Sequence, residues 1–290
     1  MFHGSIVALI TPMHSDGSID YLSLEKLIQW HLENKTQGIL ILGTTGESPT
    51  IEQSERRKII ELTLLAVNHK IPVMVGTGSN STNHSIALTT EAMQLGADAV
   101  LIVTPYYNKP TQEGLFQHYR AIAKAVPIPQ ILYNIPPRTA CDLLPETIAR
   151  LSSFSNILGI KEGTGDVNRL KILLSLDLKI DYFTSNDDNA LEFMLQGGQG
   201  AISVAANVIP KLFSEFCDAA LQGDVDIAKK MDQGWREFYR LLFIETNPMP
   251  VKWIMEKMGL IQSGIRLPLT PLSVAHHADM QALLQELKLI

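Results

Sequence analysis

The chain has 290 residues, of which 46% are apolar and 19% charged, a balance that suits a compact folded protein and argues against disorder. The formal net charge is −6, and no run of Lys or Arg is placed to follow a phosphate backbone, so nucleic acid is an unexpected partner. The length fits one α/β barrel, which commonly uses about 250 residues as a single unit.

Membrane, disulfide and metal signals are absent from the sequence. Residues 6–10 form a short apolar stretch with no cationic segment before it, and no later run approaches the length of a bilayer span. Cys141 and Cys217 lie outside any CxxC pattern, and the eight His residues show no HxxxH or HExxH spacing. We therefore predict a cytoplasmic protein with no membrane contact, no metal and no bound cofactor.

Short runs rich in β-branched residues recur along the first two thirds of the chain, with amphipathic helical patterns between them. The predicted strands are residues 5–10, 38–42, 72–76, 99–103, 130–134, 157–161, 181–185 and 200–204. Eight strands that alternate with helices predict a closed (β/α)8 TIM barrel, because right-handed crossovers wind a parallel sheet until its edges meet. An open doubly wound sheet is the alternative.

From residue 224 onward the pattern is helical only, with Gly and Pro between the segments. No polar linker separates this part from the rest. The predicted organisation is a catalytic (β/α)8 barrel over residues 1–223 and a C-terminal helical extension over residues 224–290 that packs on the barrel.

Residues 43–48 read GTTGES and follow the second predicted strand. Their glycines let a ligand approach the backbone, and successive N–H groups with the hydroxyls of Thr44 and Thr45 suit a carboxylate or a phosphate. The lysine and the spacing of a P-loop are missing. A plain structural turn uses the same residue types, so the motif alone leaves both interpretations open.

Two other strand ends carry tyrosines. Tyr106 and Tyr107 lie in a proline-bracketed loop after the fourth strand, where exposed tyrosines more often serve an interface than chemistry. On the fifth strand Tyr133 shares a face with Ile131 and is expected to point inward, as a core residue or as a proton shuttle. Arg138 follows, with a guanidinium suited to a substrate carboxylate or to a loop salt bridge.

Lys161 ends the sixth predicted strand, within the stretch NILGIKEGTGD. One interpretation is a lysine paired with a nearby carboxylate. The other is a nucleophile, because an amine pressed into apolar surroundings loses hydration, its pKa falls, and the free base becomes available near neutral pH.

Three motifs in register on strands two, five and six, GTTGES, YNIPPRTA and GIKEGTGD, resemble the dihydrodipicolinate synthase branch of the pyruvate-dependent class I aldolases. The resemblance extends over nearly the whole chain. It implies that Lys161 forms a Schiff base with pyruvate and that the resulting enamine attacks L-aspartate semialdehyde. The implied product is 4-hydroxy-tetrahydrodipicolinate, on the diaminopimelate route to lysine.

The resemblance also implies roles for other residues. Tyr133 would donate and accept protons, linked through Thr44 to Tyr107, which a neighbouring subunit lends across a tight dimer interface. A homo-oligomer, built as a dimer of dimers, is the implied assembly.

Three positions match residues that hold the two substrates in this family. Thr45 and Ile202 match residues that bind pyruvate through backbone groups, and Arg138 matches the residue that receives the carboxylate of the aldehyde. The implied partners are therefore pyruvate and L-aspartate semialdehyde.

Two other functions compete with this one. N-acetylneuraminate lyase shares the barrel, the lysine and a similar Thr-Gly-Glu loop, but the pair Arg138-Thr139 favours the synthase, because sugar-acid lyases place smaller or hydroxylic residues there to meet a longer polyol. The second alternative is a barrel that binds a phosphorylated metabolite at residues 76–82 or 161–166. That alternative needs no amine at Lys161.

The sequence departs from the lysine-regulated members of this family in the cleft where they bind the inhibitor. Three matching residues are retained, namely Ser48, Asn80 and Tyr106. A glutamate that holds the α-ammonium of lysine is replaced by His84, a histidine near the ε-ammonium by Arg56, and a further residue by Gln53. We therefore predict weak or absent inhibition by lysine.

Overall fold

The structure is a computed structural model and describes residues 2–290. Its eight parallel strands pair in chain order, and the last strand pairs with the first. Gly4 pairs with Gly200 and Ile6 with Ile202, which closes the barrel. The predicted (β/α)8 barrel is therefore confirmed, and the open sheet is excluded. The strands are β1 (Gly4–Ala8), β2 (Gly38–Ile41), β3 (Val73–Gly76), β4 (Ala99–Val103), β5 (Gln130–Asn134), β6 (Ile157–Glu162), β7 (Asp181–Thr184) and β8 (Gly200–Ser203).

Helices surround the barrel and continue beyond the last strand. They are α1 (Tyr21–Glu33), α2 (Gln53–Val67), α3 (Thr82–Leu95), α4 (Gln112–Ala125), α5 (Pro136–Thr139), α6 (Pro145–Leu151), α7 (Val167–Ser175), α8 (Ala190–Leu195), α9 (Pro210–Gln222), α10 (Val225–Gly234), α11 (Arg236–Leu242), α12 (Met249–Lys257) and α13 (His277–Glu286). No helix among residues 2–290 combines the length and the apolar character needed to cross a membrane.

Capping residues fix where several helices begin. Asp20 accepts a hydrogen bond from Ser23 N at the start of α1, and Ser81 accepts one from His84 N at the start of α3. Glu52 and Glu55 form a capping box at the start of α2. These caps set the ends of the βα loops, which carry the polar residues of the site.

The barrel interior and the layer between strands and helices are two separate apolar clusters. Ile131 and Tyr133 lie in the interior cluster, whereas Leu132 lies in the outer one. Ile160 is also in the outer cluster, so alternation along β6 turns Lys161 inward. The predicted inward direction of Tyr133 is confirmed.

One amphipathic stretch of the C-terminal part is interrupted. The stretch DIAKKMDQGWREFYRLLF is divided between α10 and α11 at Trp235, whose φ of −113° and ψ of 6° leave the helical region. Gly234 precedes the break and is the weakest helix former of the stretch. The break directs α11 toward the turn that follows β7, where Arg236 Nη1 donates to Asp188 O at 2.7 Å.

Candidate active site

Lys161 is 5% exposed at the carboxyl end of β6. Its Nζ lies 4.4 Å from the centroid of the Tyr133 ring, which comes from the neighbouring strand. Burial lowers the pKa of Lys161 to about 7, while Asp187 acts to raise that pKa and Arg138 to lower it. A substantial fraction of the amine is therefore the free base near neutral pH.

The cavity above Lys161 has a volume of ≈ 200 Å³. It opens at the carboxyl ends of the strands, where barrels of this type build their sites. The cavity brings together five of the seven predicted site residues. Its lining comprises Ala8, Leu40, Thr44, Thr45, Leu101, Tyr133, Ile135, Pro137, Arg138, Lys161, Gly163, Ser185, Asn186, Val204, Phe243 and Asn247.

Tyr133 is 5% exposed, and its hydroxyl is a protonated donor at neutral pH. Burial raises the pKa of Tyr133 to about 12, although hydrogen bonds with Ser185 and Thr44 and the charge of Arg138 act in the opposite direction. A phenol with this pKa can give a proton to an oxyanion that forms beside it. Its hydroxyl neighbours offer a path along which the proton can be returned.

Gly163 explains why Ser185 reaches the cavity. A Cβ at this position would lie 2.6 Å from Ser185 Oγ and 2.8 Å from Asn134 O. A side chain there would clash with the carboxyl end of β5 and displace the Ser185 hydroxyl.

The GTTGES loop is held by the C-terminal helical region. Asn247 Nδ2 donates to Thr45 Oγ1 at 3.0 Å. Glu47, with φ of 58° and 3% exposure, forms a buried ion pair with Lys252 on α12. Because both contacts join residues about 200 positions apart, as the separations of 202 and 205 show, the loop depends on tertiary structure for its shape.

Arg138 stands at the rim of the cavity, with its residue exposed. Its Nη2 donates to Asn247 O at 3.1 Å, so the guanidinium is anchored on one side and leaves its other donors for a ligand. The placement suits recognition of a carboxylate that enters from solvent.

Two predicted site residues lie apart from this cavity. Tyr107 is 90% exposed and has a φ of 74°, so its side chain points away from the site of its own chain. Ile202 is fully buried in the barrel interior, two residues before Val204, which lines the cavity.

Sequence reasoning missed Asp187 and Asn247. Asp187 is 1% exposed, and its Oδ2 accepts hydrogen bonds from Val204 N at 3.1 Å and Ala205 N at 2.8 Å. Burial raises the pKa of Asp187 to about 6, and the Ser203 hydroxyl, these two N–H groups and Lys161 act against that rise. A signal was available for Asp187, since an acid two residues beyond a predicted strand lies at the functional end of the barrel. Asn247 gave none.

A second, larger cavity of ≈ 550 Å³ adjoins the first and shares Thr44 and Arg138 with it. It contains most of the residues compared above with the lysine-binding cleft, including Ser48, Gln53, Arg56, His84 and Tyr106.

Arg56 is a buried charge in the wall of this second cavity. It is 6% exposed, and its Nη2 donates to Gly76 O at 2.7 Å. Among residues 2–290, no group of three or more His, Cys, Asp and Glu side chains is arranged to bind a metal ion.

The chain is similar to a family of known proteins over nearly its whole length. The model of the "Dihydrodipicolinate synthetase family" matches residues 1–287. A relative from Coxiella burnetii (strain RSA 493 / Nine Mile phase I), named 4-hydroxy-tetrahydrodipicolinate synthase, is 58% identical over 99% of this chain and 98% of its own length. A relative of the same name from Nitrosococcus oceani is 54% identical over 99% of both chains.

Solved structures give the same picture. Dihydrodipicolinate synthase from Acinetobacter baumannii, solved in complex with pyruvate, is 48% identical and superposes with a TM-score of 0.98 over 100% of both chains. Dihydrodipicolinate synthase from Aquifex aeolicus is 40% identical, with a TM-score of 0.97 over 99% of both chains.

Proposed function

The chain belongs to the dihydrodipicolinate synthetase family, and we propose that the amine of its Lys161 forms a Schiff base with pyruvate. The activity is that of a 4-hydroxy-tetrahydrodipicolinate synthase, a lyase of the diaminopimelate route to lysine. The observation that carries the proposal for Lys161 is its place: a buried amine with a pKa of about 7, 4.4 Å from the ring of an inward tyrosine.

The first stage joins the enzyme to pyruvate. The free amine of Lys161 attacks the ketone carbon. The carbonyl oxygen then leaves as water, and the imine nitrogen takes up a proton. The backbone near Thr45 and Ile202 and the hydroxyl of Thr44 hold the pyruvate carboxylate. The positive nitrogen then withdraws electrons, so a methyl proton can leave and an enamine forms.

The second stage makes the new carbon–carbon bond. The enamine carbon attacks the aldehyde of L-aspartate semialdehyde while Arg138 holds the carboxylate of that substrate. Tyr133 gives its proton to the alkoxide, since its pKa of about 12 keeps it protonated at neutral pH. Attack of the substrate amine on the imine carbon closes the ring and releases Lys161.

The phosphate-binding alternative has less support from the local contacts. In the segment 76–82, Ser79 N is occupied by Ser85 Oγ at 2.9 Å. In the segment 161–166, Thr164 N is occupied by the buried carboxylate of Glu162 at 2.8 Å, a group that repels phosphate. Neither segment offers the free row of N–H groups that a phosphate site uses.

Substrate choice is tested by supplying two substrate pairs in separate reactions. Supplied with pyruvate and L-aspartate semialdehyde, the protein should consume the two in equal amounts, as followed by NMR. With pyruvate and N-acetylmannosamine, the substrates of the sugar-acid lyase alternative, it should leave both unchanged. Turnover of the sugar pair alone would transfer the proposal to that alternative.

We further propose that the protein is a cytoplasmic homo-oligomer, a dimer of dimers, in which Tyr107 enters the neighbour's site. Its exposure of 90% and positive φ fit a side chain that is held for a second copy of the chain. In this arrangement its hydroxyl continues the chain of hydroxyls that runs from Tyr133 through Thr44.

Tyr107→Phe should lower kcat by about tenfold, the worth of one hydrogen bond in the relay, and leave the dimer intact in sedimentation. Tyr106→Phe is the matched control and should keep its activity. Mixing Tyr107→Phe with Lys161→Ala subunits should regain activity, because the intact Lys161 then receives an intact Tyr107 from its neighbour. A fully active monomer, or mixing without gain, would contradict the exchange.

Weak inhibition by lysine follows from the charge in the second cavity. Arg56 is anchored to Gly76 O at 2.7 Å and remains protonated, so it repels the ammonium of a bound lysine. His84 replaces the carboxylate that pairs with the other ammonium, and losing that partner costs about 1–3 kcal/mol. We expect binding about 10²-fold weaker than in regulated members.

The measurement is a lysine titration at subsaturating pyruvate, with no half-inhibition below about 1 mM. The double variant Arg56→His with His84→Glu restores the residue types of regulated members and should become sensitive. Inhibition of the unmodified protein at lower lysine would show that Arg56 permits another pose.

A further inference from the structure

Asp187 is a buried carboxylate to which the mechanism above gives no role. It opens a short 3-10 turn, Asp187–Asn189, directly after β7. Two backbone N–H groups at 2.8 and 3.1 Å fix its Oδ2, whereas its Oδ1 has no hydrogen-bond partner within residues 2–290. The two hydrogen bonds to Oδ2 hold the side chain in place. Because Oδ1 has no partner, part of the negative charge of the carboxylate is uncompensated.

The groups that act electrostatically on Lys161 come from three elements. Tyr133 on β5 presents its ring face to Nζ, and Arg138 on α5 disfavours a positive charge there. Asp187, after β7, favours that charge. Asp187 Oδ2 accepts from Val204 N, and Val204 lines the same cavity as Lys161. Asp187 is therefore an anion behind the wall of that cavity, and its charge counters part of the effect of burial and Arg138.

The groups around Asp187 keep it ionised at neutral pH. Burial raises its pKa only to about 6, because the Ser203 hydroxyl, the N–H groups of Ala205 and Val204, and Lys161 favour the anion. Two neutral groups face it from the other side, namely Tyr239 on α11 and Cys217 on α9, and burial raises the pKa of both.

We propose that Asp187 is a positioning residue that stabilises the positive nitrogen of the Schiff base at Lys161. The inference rests on the proposed role of Lys161. When the carbon–nitrogen bond forms and water leaves, the protonated imine is a cation in a site from which most water is excluded. A fixed anion stabilises this cation relative to the neutral imine, and only the cation promotes loss of the methyl proton.

Asp187→Asn removes the charge and keeps the shape, since the amide oxygen can accept both backbone N–H groups. Two effects of opposite direction should follow. The acid midpoint of cyanoborohydride trapping at low pyruvate, which reports the free amine, should move down by about one pH unit. Exchange of pyruvate methyl protons with deuterated solvent, which needs the cation, should slow about tenfold at saturating pyruvate. A role in structure alone would not lower the midpoint.

Asp188→Asn is the matched control, because Asp188 is adjacent and exposed, and it should change neither quantity. If Asp187→Asn does not fold, Ser203→Ala provides the test: Asp187 then loses its charge at higher pH, and the midpoint should again move down. A midpoint that stays or rises, or exchange at the normal rate, would overturn the proposal. Absence of trapping on Lys161 in the unmodified protein would instead refute the Schiff base itself.

Discussion

Lys161→Ala gains no adduct with pyruvate and borohydride, whereas the unmodified chain gains one pyruvate-derived group on residue 161; this is the expected result of mass spectrometry after reduction. Borohydride converts a Schiff base to a stable amine, so the mass gain records the covalent intermediate. Condensing activity should fall by more than about 10³-fold in the variant, because no other group can supply the electron sink.

Lys252 provides an internal control within the same experiment. Like Lys161 it is 5% exposed, but its ammonium is paired with Glu47 and donates to Thr11 O at 3.0 Å. Burial lowers the pKa of Lys252, but the Glu47 carboxylate acts against that shift and holds the ammonium in an ion pair, so this nitrogen is not free to attack a ketone. The peptide that contains Lys252 should therefore remain unmodified.

The pH dependence separates a buried nucleophile from an exposed lysine. Trapping should rise through a midpoint near pH 7, since burial lowers the pKa of Lys161 to about 7 and the amine reacts only when it is unprotonated. Exposed lysines would show a midpoint near 10.4. An adduct on another lysine, or trapping that survives in Lys161→Ala, would remove Lys161 from the proposed chemistry.

Local pattern was sufficient to predict the barrel and the inward direction of Tyr133. The period of two along β5 places Tyr133 on the face of Ile131, and the same period along β6 places Lys161 opposite Ile160. Each of these inferences uses residues within a few positions of one another. Strand boundaries were less well predicted, as β1 ends at Ala8 although the apolar run continues to residue 10.

Contacts across long separations could not be predicted. Asn247 follows no strand and belongs to no motif, yet it bonds to Thr45 from 202 positions away and anchors Arg138. Lys252 likewise gives no sign in sequence that Glu47 is its partner. The C-terminal helical region therefore contacts both the GTTGES loop and Arg138, through pairs that no local pattern in the sequence connects.

The first interpretation of Lys161 in the sequence was a lysine paired with a nearby carboxylate, and the structure agrees with it only in part. Asp187 does act on its charge, but the ring of Tyr133 lies against the amine instead of a carboxylate. The sequence predicts an apolar strand that would remove water from the Lys161 amine. It does not predict how Asp187 and Arg138 together affect the pKa of Lys161, because their effects depend on distances between loops.

Tyr133→Phe should lower kcat by about 10²-fold or more, the usual contribution of a positioned acid or base, and should change pyruvate binding far less. The hydroxyl moves protons during imine formation and when the new alkoxide forms, whereas the ring that contacts Lys161 is retained in phenylalanine.

The matched control is Tyr119→Phe: Tyr119 is fully buried and donates to Ile102 O at 3.2 Å in the outer apolar layer. Its loss should cost about 1 kcal/mol of folding free energy and leave kcat unchanged. Steady-state kinetics with both substrates, together with thermal unfolding of both variants, makes the comparison. If Tyr133→Phe turned over at the rate of the Tyr119→Phe control, the phenol would be a core residue with a satisfied hydroxyl, and another group would have to protonate the alkoxide.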